Sequence, residues 1–148
     1  MTPRTRLLSA LAATALTAAT LAAGPARAEP FTLFIYETEA DIATRTDPAK
    51  AQAYWGAFMA YANAMGKAGV LRGGMPLQPA SHARVSTVRD GRVSVRTGAR
   101  ATAPDQLGGF FMIDVPDLEA ALAWAAKAPS AVTGAVEVRP GFPAPAMN

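Results

Sequence analysis

His82 is the chain's one histidine, and cysteine is absent. These two facts narrow the available chemistry more than any other feature. A lone imidazole can serve as a general base or as a hydrogen-bond donor to a ligand, but a general base wants a carboxylate to orient it. The sequence places no carboxylate beside His82. Ser81 precedes it, and in a strand their side chains would point to opposite faces, which excludes a direct Ser–His pair. A metal centre gathers several His or carboxylate ligands. One His, scattered acids, and the lack of a His-Glu-x-x-His run or an EF-hand loop lead us to expect no metal and no cofactor. Arg84 and Arg100 could join His82 around an anionic ligand. The plainer alternative is that all three are solvated groups at strand and loop ends.

Other chemistry-bearing residues are less telling. Tyr36, Trp55 and Phe58 could line a pocket between sheet and helix, yet their spacing suits ordinary core equally well. Glu37, Glu39 and Asp41 fall at a strand end and in the next connection, with no spacing that establishes a carboxylate pair. Asp114 and Asp117 read as helix-start residues. Glu137 reads as an ion-pair partner for Arg139 neighbours across the sheet. Gly108-Gly109 is followed by a strand and by no Lys-Ser/Thr, so it is not a phosphate loop.

The elements that must position these residues follow from pattern. Phe31–Glu37 is apolar and aromatic, suited to a buried strand, and 38–46 reads as a polar connection. Asp47-Pro48 opens a helix whose apolar face carries Ala51, Tyr54, Trp55, Phe58, Ala62 and Met65. Gly69 stops it, Val70-Leu71 lead into an extended piece, and Gly73-Gly74 interrupts that piece. Asp90-Gly91 is a two-residue turn signal joining Val85–Arg89 to Arg92–Arg96. That turn sets Val88 opposite Val93 and Arg84 opposite Thr97. One face then holds His82, Arg84, Ser86, Val88, Val93, Val95 and Thr97. The opposite face, with Val85, Thr87, Arg89, Arg92, Ser94 and Arg96, is expected to meet water. Residues 99–105 form a loop, 107–115 a strand, and Pro116-Asp117 begins a second helix with Leu118, Ala121, Leu122 and Ala125 as its buried stripe. A short strand over 135–139 ends the fold. The order fits an α+β fold, a ferredoxin-like antiparallel sheet with two helices on one face.

The start of the chain reads differently. Arg4 and Arg6 precede an uncharged Leu/Ala/Thr run over 7–23, and Ala26-Arg27-Ala28 follows, which is the pattern of a cleaved secretory signal. We therefore expect a leader over 1–28, a domain over 29–140, and a Pro-rich tail over 141–148. Cleavage would remove Arg4, Arg6 and Arg27 from 14 basic residues and leave 11, equal to the 11 acidic residues. The high isoelectric point thus belongs to the precursor, and binding to nucleic acid is not expected. The expected location is periplasmic or secreted, with no membrane attachment after cleavage.

Four segments carry a family resemblance: FIYE ending at Glu37, the VRDGRV hairpin, QLGGFFMIDVPDLEAAL from Gln106, and GAVEVRP ending at Pro140. The chain resembles the YCII-related family, in the branch named for a DGPFAETKE motif. The resemblance implies the same ferredoxin-like fold, usually as a homodimer of the α+β barrel type. Where that branch has its motif, this chain reads TGARATAPD over 97–105. The alignment puts Thr97 in the position of the motif's Asp, while the Gly survives as Gly98. Homologues with acid–base chemistry are thought to use an Asp and a His, and a Thr hydroxyl is not ionised near neutral pH. The expectation is therefore a non-catalytic dimer that binds a small molecule or partner, with Tyr36, Trp55, His82, Arg84, Thr97 and Arg100 as candidate ligand contacts. The alternative is a small lyase- or isomerase-like acid–base enzyme on an organic acid, with His82 as its candidate catalytic residue.

Overall fold

The computed structural model describes residues 28–101 and 103–142. The expected secretory leader through residue 27, Thr102, and the tail from residue 143 lie outside the described residues. Among the described residues, six strands and three helices follow in order. They are β1 (Glu29–Glu37), α1 (Glu39–Thr44), α2 (Ala51–Lys67), β2 (Leu71–Pro76), β3 (Arg84–Arg89), β4 (Arg92–Thr97), β5 (Gln106–Val115), α3 (Leu118–Ala125) and β6 (Ala135–Pro140). The main sheet has the order β2-β5-β1-β6 with antiparallel neighbours. Two split β-α-β units interleave in this way, the ferredoxin-like arrangement of an α+β fold.

Alternation along β1 builds the core. Phe31, Leu33, Ile35 and Glu37 point to the buried side, and the intervening residues do not. Ile113 and Val115 of β5 share that side, and it packs on Tyr61 and Met65 of α2 and on Ala121 and Ala125 of α3. A fully buried side chain such as Leu33 contributes about 1.5–3 kcal/mol relative to exposure. Both long helices cover one face of the sheet. The other face is left open, with Met75 and Met112 among its exposed apolar residues.

Several local expectations need correction. The hairpin does not join the main sheet; β3 and β4 form a two-stranded sheet of their own. Its register is as the turn chemistry required, with Val88 opposite Val93 and Arg84 opposite Thr97. Asp90 and Gly91 both take positive φ, 51° and 74°, as a tight hairpin turn of mirror-image type demands. Both faces of the hairpin are largely open, with Arg89, Arg92, Ser94 and Arg96 exposed on the side expected to meet water. Val85 and Thr87 are half-buried, whereas Val88, Val93 and Val95 are 57–69% exposed. Gly73-Gly74 does not break the chain, because β2 runs through both against β5.

The helices also differ in detail. Residues 39–44 are helical, not irregular. Thr38 caps α1 by accepting from the Asp41 backbone N–H, and the Asp41 carboxylate accepts in return from the Thr38 backbone N–H, a capping box with Asp in the place of Glu. Helix α2 begins after Lys50, with Asp47 supporting the turn before it through Ala49. Its most buried residues are Tyr61 and Met65, and Trp55 lies at the rim. In α3, Asp117 is the N-cap as expected, but Leu118 and Leu122 are exposed and the small Ala121 and Ala125 face the sheet.

Candidate functional site

Two concavities flank the same end of the sheet. The wider one, about 830 Å³, lies where the chain leaves β2, forms the hairpin and returns to β5. Tyr36, His82, Arg84, Arg100, Asp105 and Gln106 contribute to its wall. Four of the six candidate ligand contacts therefore meet in one groove. Thr97 and Trp55 are not among its lining residues. Thr97 is exposed on the hairpin opposite Arg84, and Trp55 belongs to the second concavity.

His82 does not sit on a strand. It ends a 3₁₀ turn over Ala80–His82, closed by its N–H bond to the Pro79 carbonyl at 2.8 Å. Gln106 ties this turn to β5 by accepting from the Ala80 N–H at 3.0 Å. The turn overturns the opposed-faces argument, since Ser81 Oγ lies 3.3 Å from His82 Nδ1. Both residues are exposed. Among the described residues, no carboxylate hydrogen-bonds the imidazole. Arg84 folds back so that its guanidinium donates to the carbonyls of His82 and Ala83. Across the groove, Arg96 holds the 97–100 bend by donating to the Ala99 carbonyl at 2.8 Å. Gly98 makes that bend at φ +95°, a conformation that side chains seldom adopt.

Tyr36 borders the groove from the open face of the sheet. Its hydroxyl donates to Glu137 Oε2 at 3.0 Å, and Arg139 Nε donates to Glu137 Oε1. Burial, then the bond to Glu137, raises the Tyr36 pKa above its ordinary value. The Arg139 bond, then the Tyr36 bond, lowers that of Glu137. Tyr36 therefore stays a neutral donor whose proton is already committed to Glu137. Glu137 thus pairs with Arg139 two residues on in the same strand, and not with a cation across the sheet. Asp114 instead pairs with Arg72 at 2.8 Å within the sheet.

The second concavity is a slot of about 170 Å³ between α2 and the β2/β5 edge. Trp55, Phe58, Ala62 and Phe111 give it an apolar wall, and the buried Glu37–Arg45 ion pair belongs to its lining. Glu37 is 2% exposed and Arg45 is 6% exposed. Arg45 Nη1 lies 2.8 Å from Glu37 Oε2 and also donates to the Gly108 carbonyl, while Nη2 donates to the Leu77 carbonyl at 2.6 Å. Trp55 Nε1 donates to the Arg45 carbonyl at 3.1 Å. Burial raises the Glu37 pKa, and Arg45 opposes that rise. Sequence reasoning left Glu37 without a partner and never singled out Arg45. The pair spans a turn of the chain, and no periodicity marks it.

Gly108 explains how the pair fits. The β1–β5 register shifts between Ile35 and Tyr36, where Ile35 faces Gly109 and Tyr36 faces Leu107. Gly108 is the extra residue of a bulge. A Cβ there would come within 1.7 Å of Glu37 Oε2. The glycine pair is thus a carboxylate berth in a sheet, not a phosphate cradle.

An antiparallel ferredoxin-like sheet, two helices on one face and an inserted hairpin define the class of α+β domain. A family model described as the YCII-related domain matches residues 30–144. That is most of the chain, and the protein belongs to the YCII-related family. No curated protein matches the chain significantly.

Proposed function

We propose that the protein is an exported, non-catalytic binding module that takes a small organic anion in the groove between hairpin and sheet. The carrying observation is the convergence of His82, Arg84, Arg100 and Tyr36 on one concavity of about 830 Å³. That volume lies in the usual range for small-molecule sites, roughly 300–1,000 Å³. The neutral Thr97, in the aligned position of a motif Asp, supports binding without turnover. So does the committed Tyr36 proton. A thermal-shift screen of small carboxylates and phosphate esters tests the reading, because a ligand that binds only the folded state raises Tm. The expected hit loses its effect in Arg100→Ala and in His82→Ala. No hit, or a hit unaffected by both substitutions, refutes this reading.

The Ser81–His82 contact favours one second reading, an acid–base enzyme with His82 as base. Turnover by the unmodified protein that vanishes in His82→Ala would establish it. On the binding reading, neither the natural protein nor Thr97→Asp turns over organic-acid substrates, and the added Asp changes stability by less than about 1 kcal/mol as a cross-strand partner of Arg84.

We also propose a homodimer. Its support is the open sheet face together with the exposed Val88, Val93 and Val95 of the hairpin, since an uncovered apolar sheet face is stabilised by a second layer. Light scattering at micromolar concentration should give twice the chain mass.

A further inference from the structure

The slot between α2 and the sheet differs from the groove in both chemistry and position. We infer that it is a second binding site, for a single-ring aromatic molecule carrying one hydroxyl or N–H donor, anchored on Glu37. Two independent observations carry this. The first is size and lining. A cavity of about 170 Å³ walled by Trp55, Phe58, Ala62 and Phe111 is close to the roughly 150 Å³ apolar cavity known to accept benzene. The second is the buried carboxylate in its lining. Glu37 is 2% exposed, and Arg45 engages its Oε2. Among the described residues, no hydrogen bond engages Oε1. A buried carboxylate accepts more than one bond readily, and a donor delivered by an otherwise apolar ligand supplies it.

The fixed parts of the slot favour a flat ligand. Trp55 is held by its indole bond to the Arg45 carbonyl, and Tyr54 packs edge-on against it at 5.0 Å between centroids. Ring faces and edges of this kind prefer offset or T-shaped aromatic neighbours. Met59, which is 61% exposed, stands at the mouth, where an unbranched thioether adapts to what enters. The site does not rest on the groove reading, since none of its wall is formed by His82, Arg84 or Arg100.

Phenol is the probe, with benzene as the donor-free control, measured by thermal shift and by ligand NMR on the purified protein. Phenol should raise Tm saturably, and benzene should bind about tenfold more weakly for want of the bond to a charged acceptor. His82→Ala should leave the phenol response unchanged. Ala62→Leu, which fills the slot, should abolish it. Nuclear Overhauser contacts from the phenol ring to the Trp55 indole and the Met59 methyl should place the ligand in the unmodified protein, so the test survives if Ala62→Leu does not fold. Absence of a saturable phenol response overturns the site, as does a saturable response without contacts to Trp55 and Met59. Equal affinity for benzene and phenol overturns the Glu37 anchor.

Discussion

Removing Arg45 should be one of the most damaging single changes in the domain. Arg45→Met keeps much of the stem volume and deletes the guanidinium. Glu37 is then a carboxylate 2% exposed with no cation, and the Leu77 carbonyl loses its 2.6 Å donor. Stranding one member of a buried pair costs about 3–5 kcal/mol, against a total stability for a domain of roughly 5–15 kcal/mol. The pH dependence is distinctive. Burial already raises the Glu37 pKa above 4.5, and Arg45 is the influence that restrains it. Without Arg45 the folded-state pKa rises further. A raised carboxylate pKa means that the fold disfavours the charged form. That penalty is absent below the unfolded value of about 4.5, grows as pH rises through the interval up to the folded value, and is complete above it. Urea denaturation should therefore show Arg45→Met losing less stability at pH 5 than at pH 8. The double variant Glu37→Met, Arg45→Met should recover much of the loss, because no charge is then stranded. A loss below about 1 kcal/mol at pH 8 would refute the reasoning, since ordinary point substitutions already reach that range. So would a loss independent of pH, or a double variant no better than Arg45→Met alone.

Three further substitutions probe single contacts. Gly108→Ala should destabilise by several kcal/mol, on the order of the same broken pair, because its Cβ would displace the Glu37 carboxylate; chemical denaturation measures it. Tyr61→Phe removes a 3.0 Å bond from the Tyr61 hydroxyl to the Trp124 carbonyl and should cost about 1 kcal/mol. In the unmodified protein, burial pushes the Tyr61 pKa up to about 12, so ultraviolet titration should show a late tyrosine step that is missing in Tyr61→Phe. Asp117→Ala deletes the cap that accepts from the Ala120 N–H at 2.8 Å and should lower stability by about 1 kcal/mol.

Legibility in the sequence tracked the range of the interaction. The Asp90-Gly91 turn fixed a local register, and β3 and β4 pair in that register. Asp117 capped α3 because the cap needs only the next three residues. The alternating pattern of β1 identified its buried side. Failures came where a distant neighbour decided. Leu118 and Leu122 suit a buried stripe by spacing, but the helix approaches the sheet on alanines, a choice that depends on how closely α3 docks. Ser81 and His82 were assigned opposite faces on the premise of a strand, and a 3₁₀ turn removes that premise. The hairpin's valine face is expected from its composition to be the side that a second copy covers. In one chain it is the exposed side, since β3–β4 is not hydrogen-bonded to the main sheet.

The Glu37–Arg45 pair shows why such a site hides in a sequence. Its parts lie on β1, in the turn after α1, on the segment after β2, and at a bulge of β5. Each part alone has an ordinary explanation: a strand-end acid, a loop arginine, a flexible glycine. Assembled, they depend on one another. The bulge at Gly108 makes room for the carboxylate. Its carbonyl accepts from Arg45 and from the Leu77 N–H at 2.7 Å, so the irregular backbone is satisfied. Arg45 in turn offers its own carbonyl to Trp55, which fixes the aromatic wall of the slot. A buried ion pair is weak evidence of added stability, because well-packed apolar residues often do as well. Retaining a charge in the lining of an apolar slot is better accounted for by what that charge can hold there. The phenol and benzene comparison addresses that account, and the Arg45 cycle measures its energetic consequence independently.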